Sequence, residues 1–139
     1  MATSPIPVLV QTPKIGLMQI ANADALNQKT VVAAGPNGTK VVSLIAASAD
    51  TTVRVLQISV GRGGANYIIG SVSVPANSGT DGVAPGANLL APSLMPGLPV
   101  DNDGQAYIFL QSGDMLQVSA TTTVTSGKLI HISAIEADF

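Results

Sequence analysis

A chain of 139 residues can bury roughly two-thirds of its unfolded surface, so it can build a real core without covalent staples. Its net charge is −2, with six Lys and Arg scattered along it and no cysteine; this excludes a phosphate-neutralising basic stripe, disulfides, thiolate chemistry and Cys-ligated zinc. Apolar residues make up 46% but aromatics only 3% and charged residues 10%, so the core must be aliphatic, and the surface is expected to be Ser, Thr, Asn and Gly or to be covered by other subunits.

Residues 1–14, MATSPIPVLVQTPK, carry Pro5, Pro7 and Pro13. Proline fixes φ and lacks an N–H, so this stretch is predicted to be an extended arm. It has no positive leader region and its apolar piece is broken by proline, so it does not read as a signal peptide, and synthesis in a cytoplasm is expected. No apolar run approaches the ~18 residues of a membrane helix. From Gly16 onward, short β-rich runs alternate with turn residues. LMQIAN (17–22) and KTVVAA (29–34) are predicted as the first strands. Gly35-Pro36-Asn37-Gly38 then turns the chain into TKVVSLIAAS (39–48), and Asn-Gly makes this a predicted β-hairpin. In its second strand Val42, Leu44 and Ala46 are expected on one face and Ser43 on the other.

TVRVLQISV (52–60) and YIIGSVSV (67–74) read as a second hairpin around a six-residue loop, Gly61 to Asn66. In the return strand Ile68, Val72 and Val74 should share a face, with Ser71 and Ser73 pointing away. Residues 75–104 break the pattern with five prolines around NLLAPSLMPGLPV (88–100). Loops this long are uncommon and tend to be functional; an apolar one must fold over its own core or dock on a partner, and both remain open. QAYIFL (105–110) is apolar on both faces, which suits a central or interface strand. In MLQVSATTTV (115–124), Leu116, Val118, Ala120 and Val124 should face inward and Gln117, Ser119, Thr121 and Thr123 outward. KLIHISAI (128–135) follows the turn at Thr125-Ser126-Gly127. About eight strands with frequent turns and no helical period predict an all-β fold, a jelly roll or related antiparallel β-sandwich over 15–139, with 1–14 as the arm.

Candidate chemistry does not survive its spacing rules. Asp101-Asn102-Asp103-Gly104 begins like a calcium loop, yet the twelfth position is Ser112 rather than Glu, so a turn is predicted. Gly61-Arg62-Gly63-Gly64 holds one RGG triplet without the aromatics and charge of single-strand binders. GPNGTK lacks the spacing of a phosphate loop, and Asn37-Gly38-Thr39, a glycosylation triplet, reads as turn chemistry without a secretory signal. His131, the only histidine, should lie opposite Ile130 and Ile132, on a surface or interface. No Gly-x-Ser-x-Gly frames a nucleophile, and with Glu136 the only Glu, a glycosidase pair would need Asp. The expectation is a protein that is not an enzyme, with no catalytic, cofactor or metal residues.

TPKIGLMQIANAD (12–24), AAGPNGTKVVSL (33–44), and SGDMLQVSA with HISAIEADF inside 112–139 resemble, in this order, a group of small structural proteins of tailed bacteriophages. Members that decorate heads are jelly-roll or sandwich proteins, called cement or decoration proteins. The resemblance covers both ends and the first hairpin, and 75–104 has no counterpart in it. It implies a virion protein on the outer capsid surface that binds the major capsid protein as a homo-oligomer, a dimer ahead of a trimer, with no nucleic acid, membrane or cofactor as partner. Expected contact residues are Ile6, Val8, Leu9 and Val10 in the arm, Leu89, Leu90, Leu94 and Met95 in the loop, and Phe139. A proline-rich arm loses little entropy on docking and can add to a sheet edge, and weak contacts combine within an oligomer. The acidic balance favours the outside of a shell over its DNA side. The alternatives are a tail or baseplate component, or a carbohydrate-binding sandwich, for which Tyr67, Tyr107, Phe109 and Phe139 make a thin stacking platform.

Overall fold

The structure, a computed structural model, describes residues 12–139. Its strands are β1 (Thr12–Ala21), β2 (Lys29–Ala33), β3 (Thr39–Ser48), β4 (Arg54–Arg62) and β5 (Ala65–Val74), followed by β6 (Ala87–Asn88), β7 (Ile108–Leu110), β8 (Met115–Ala120) and β9 (Leu129–Asp138). A first antiparallel sheet has the order β1-β9-β3-β6, with β7 also on β3; a second has the order β2-β8-β4-β5. The pairs are nested, β1 with β9, β2 with β8, β3 with β6 and β7, β4 with β5. A long hairpin rolled up so that its successive pairs fall alternately into two sheets is a jelly roll, and that is the predicted all-β class. The ninth strand arises because β6 and β7 share the flank of β3, where one strand was expected.

Between the sheets lie Leu44 and Ala46 of β3, Leu56 and Ile58 of β4, Leu116 and Val118 of β8, and Ile130 and Ile132 of β9, all buried. The core is therefore aliphatic, as the composition requires. Along one seam the sheets come closer still. A Cβ built on Gly16 of β1 would lie 2.3 Å from the Val31 carbonyl oxygen of β2, so only a residue without a side chain fits.

Several local expectations change. The Asn-Gly turn forms, with Gly38 at φ +91° and its N–H donating to the Gly35 carbonyl at 3.0 Å. It is not a hairpin, however, because it carries the chain from β2 in the second sheet to β3 in the first. Each strand has an apolar side to bury, and facing each other across the core buries both. The second hairpin does form, on the two-residue turn Gly63-Gly64 with both φ positive, and the flanks of the expected six-residue loop are strand. A bulge moves the β3–β9 register from Val41–Glu136 to Ser43–Ile135 and turns Val42 outward. Another moves β4–β5 from Ile58–Gly70 to Ser59–Ile68, which leaves Ile68 61% exposed. One extra residue reverses every side chain before it, so a strict alternation fails there. Thr12, Pro13 and Lys14, assigned to the arm, pair with Asp138, Ala137 and Glu136 as strand. Proline is tolerated because β1 is an edge strand.

Candidate functional site

Of the expected contact residues, Ile6, Val8, Leu9 and Val10 lie outside the described residues. Leu89, Leu90 and Met95 are buried in the chain's own core, so for them the expectation of a partner is corrected. Loop 75–104 folds inward. The Leu89 N–H donates to the Leu44 carbonyl at 2.8 Å, and Met95 sits where a Cβ on Gly70 of β5 would go. Burying these side chains covers the open flank of the sandwich and stabilises it by roughly 2 kcal/mol each. Leu94, by contrast, is 53% exposed. Phe139 is half-buried, its N–H donating to the Gly38 carbonyl at 3.1 Å and its ring centred 6.0 Å from that of Phe109.

A contiguous apolar surface covers the outer face of the first sheet. β9 runs along its middle between β1 and β3. On this face Ile135 stands between Ile15 and Ser43, Ser133 between Leu17 and Ile45, and His131 between Gln19 and Ala47. Beyond them Lys40 is level with Ala137 and Phe109. Leu17, Ile15, Phe109 and Ile135 are each half or more exposed. Glu136 and Asp138 alternate with these positions along β9 and so point to the opposite side. The Lys40 ammonium rests 4.5 Å from the centre of the Tyr107 ring, which meets Phe109 edge-on at 5.4 Å. The outer face of the second sheet is more polar, with Gln57, Ser59, Ser71, Ser73, Gln117 and Ser119 across its middle and Val55, Ile68 and Met115 as separate exposed apolar residues around them. Gln117 and Ser119 point outward as predicted, yet are buried between the neighbouring strands.

The sequence reading did not single out Ile15, Leu17, Ile45 or Ile135. Their signal was present, since KIGLMQI and LIHISAI place aliphatics on both sides of a strand. The same feature was recognised in QAYIFL, whose Ile108 and Leu110 are buried while Phe109 is 55% exposed.

Several charged side chains are drawn into internal brackets. Asp50, fully buried, accepts from the Thr52 N–H (3.0 Å), the Arg54 Nε (2.8 Å), and the N–H (3.0 Å) and hydroxyl (2.9 Å) of Thr125. Burial opposes its charge, but these donors outweigh burial and hold the carboxyl well below the usual carboxylate range. Asp114 takes both oxygens to Arg62, at 2.6 and 2.7 Å, and is held low chiefly by that contact. The Lys14 ammonium bridges Glu136 at 3.3 Å and Asp138 at 3.1 Å. Burial pushes Glu136 up, whereas the Thr39 hydroxyl, donating at 2.6 Å, leads in holding Asp138 down. On the apolar face His131 has its Nδ1 3.4 Å from the Gln19 amide nitrogen. The described residues contain no group of three or more His, Asp or Glu side chains placed to share a metal ion. No protein-family model and no curated protein matches this chain, and its site is accordingly defined by the contrast between the two outer faces.

Proposed function

We propose that this chain is a non-enzymatic structural protein of a phage head, which decorates the outer capsid by binding the major capsid protein as a homo-oligomer. The observation that carries the reading is the contiguous, carboxylate-free apolar face of the first sheet, set against a more polar face on the second, where exposed apolar residues are scattered. Single exposed aliphatics are ordinary on a protein surface, but a continuous stripe across three strands is the mark of a surface that works under another protein. Two further points support the reading. The fold is a jelly roll, the architecture of the head-decorating proteins that the three quoted stretches resemble. The buried carboxylates are engaged by Lys, Arg and Thr donors, which suits brackets better than reacting groups.

Contact with the shell is assigned to the arm, through Ile6, Val8, Leu9 and Val10, and to the exposed Leu94 and Phe139 regions. Purified protein added to intact heads that lack it, built from the capsid protein of the same virus, is expected to co-sediment and to saturate at a fixed number of copies per particle. Removing residues 1–11 should weaken that binding about 10-fold or more, because each arm in an oligomer contributes to avidity. Failure of the full chain to bind intact heads overturns the reading.

A further inference from the structure

We propose that the apolar face of the first sheet is covered by a second copy of this chain, packed face to face about a two-fold axis that crosses β9 between Ser133 and Ile135. The inference rests on the reading of the protein as an assembly component, but it concerns a different surface from the one assigned to the shell.

The argument starts from relief. Ser133 is a low point between the taller Leu17 and Ile45. Together with Gln19, Ala47 and His131 they line a hollow of about 240 Å³. Two residues further along the same strand and on the same face, Ile135 projects, 50% exposed. Knob and hollow are thus about 7 Å apart on one strand. A two-fold lying in the interface, perpendicular to β9 and midway between them, sets each Ile135 over the Ser133 hollow of the other copy. The same operation brings Ile45 over Ser43, two residues away on β3, and carries Phe109 and Lys40 toward the Ala47 end of that strand. Large thus meets small on β9 and β3, while on β1 Leu17 comes over Ile15, apolar against apolar at the edge of the patch. An isologous interface demands that one patch complement itself in this way.

Charge agrees with shape. No carboxylate of β1, β3 or β9 lies on the face, and its cation, Lys40, is held over Tyr107. Under the two-fold, Lys40 and its counterpart lie at opposite ends of the patch, about 20 Å apart, which is beyond the Debye length in physiological salt. The two copies of His131 are separated in the same manner. Area agrees as well. Four strand positions by seven residues is about 20 Å by about 25 Å, or about 500 Å² in projection, and side-chain relief raises the accessible area toward the roughly 800 Å² that each partner gives to a stable interface. Sheets that pack face to face through such residues repeat the geometry of a sandwich core.

The test uses the isolated full chain and no capsid. Sedimentation equilibrium should show a dimer for the wild type. Ser133→Arg should weaken association about 100-fold, since the misfit occurs twice per dimer. Ile135→Glu should do the same, and because both positions face solvent in one copy, the thermal transition of the dilute protein should stay in place. The chain has no cysteine, so a disulfide readout is clean. Mixed Ile135→Cys and Ser133→Cys chains should cross-link to each other faster than either does alone. A wild type that stays monomeric overturns the proposal, as does a dimer indifferent to both substitutions or a mixture that fails to cross-link preferentially. A monomer that still binds heads removes this inference and the homo-oligomeric part of the decoration reading but leaves capsid binding, while a dimer that binds none removes only the decoration reading.

Discussion

Gly16→Ala should destabilise the fold by about 3 kcal/mol, seen as a lower urea midpoint with an unchanged slope. An alanine Cβ at this position would sit 2.3 Å from the Val31 carbonyl oxygen and 3.2 Å from the Glu136 carboxylate. The first of these is backbone within β2 and cannot swing aside. Relief would require β1 to back away from β2, which strains its pairing with β9 around Lys14–Glu136 and Leu17–Ser133. The sign is informative in itself. Replacing Gly by Ala restricts the unfolded chain and by that effect alone stabilises a protein by about 0.4–1 kcal/mol. Gly97 supplies the comparison, because nothing lies within 4 Å of its would-be Cβ and its φ is not positive. Gly97→Ala should therefore be neutral or mildly stabilising. Equal effects at the two positions would show that the β1–β2 seam is looser than the geometry requires.

Asp50→Asn should cost a similar amount, about 3 kcal/mol, and change the response to acid. The side chain is fully buried and joins three segments. Its carboxylate holds Arg54 and Thr125, its backbone N–H donates to the Ser48 hydroxyl, and its carbonyl accepts from the Asn77 N–H at 3.0 Å. An amide would turn an NH₂ toward donors already in place and leave the largely buried Arg54 without its counter-charge. The pH dependence follows from the depressed carboxyl. The unfolded chain takes up this proton near the ordinary value of 3.8, the folded one only at lower pH. The stabilisation is thus present above about pH 4 and is lost as pH falls below it. Asp114 and Asp138, also depressed, add to the same acid limb. Glu136 is raised and acts oppositely, since its protonation at higher pH than in the unfolded chain relieves a buried charge. The stability profile of Asp50→Asn should accordingly fall less steeply below pH 4 than that of the wild type. Parallel profiles would mean that Asp50 is not the group that senses acid.

The architecture was readable where local signals and burial agree. Alternation in MLQVSA, the glycine pair between β4 and β5, and the punctuating turns were enough for an antiparallel sandwich of the right size. They did not suffice for connectivity. Asn37-Gly38 carries a strong hairpin signal, yet whether its two strands pair or face each other across a core depends on strands far along the chain. Bulges at Val42 and Ile69 were equally invisible, because an inserted residue leaves the composition of a strand unchanged. Leu89, Leu90 and Met95 illustrate the same limit. Aliphatics between prolines look like an exposed handle until the open flank beside Gly70 is known. The apolar face was legible only as doubled hydrophobicity, in KIGLMQI and LIHISAI, which buried central strands share.

The nesting of strand pairs also constrains how the polypeptide can mature. β1 is synthesised before the seven strands β2 to β8 and its partner β9 only after them, and β2 likewise waits for β8. At about 5–20 residues per second on the ribosome, the opening strands spend several seconds or more without their neighbours, while the β4–β5 tip can close alone on the microsecond scale of a hairpin. Completion of the first sheet therefore waits until β9 has left the ribosome, and so does the appearance of the surface on which copies would meet. Nascent chains on one messenger cannot associate through that surface before β9 has emerged, which sets folding and assembly in order.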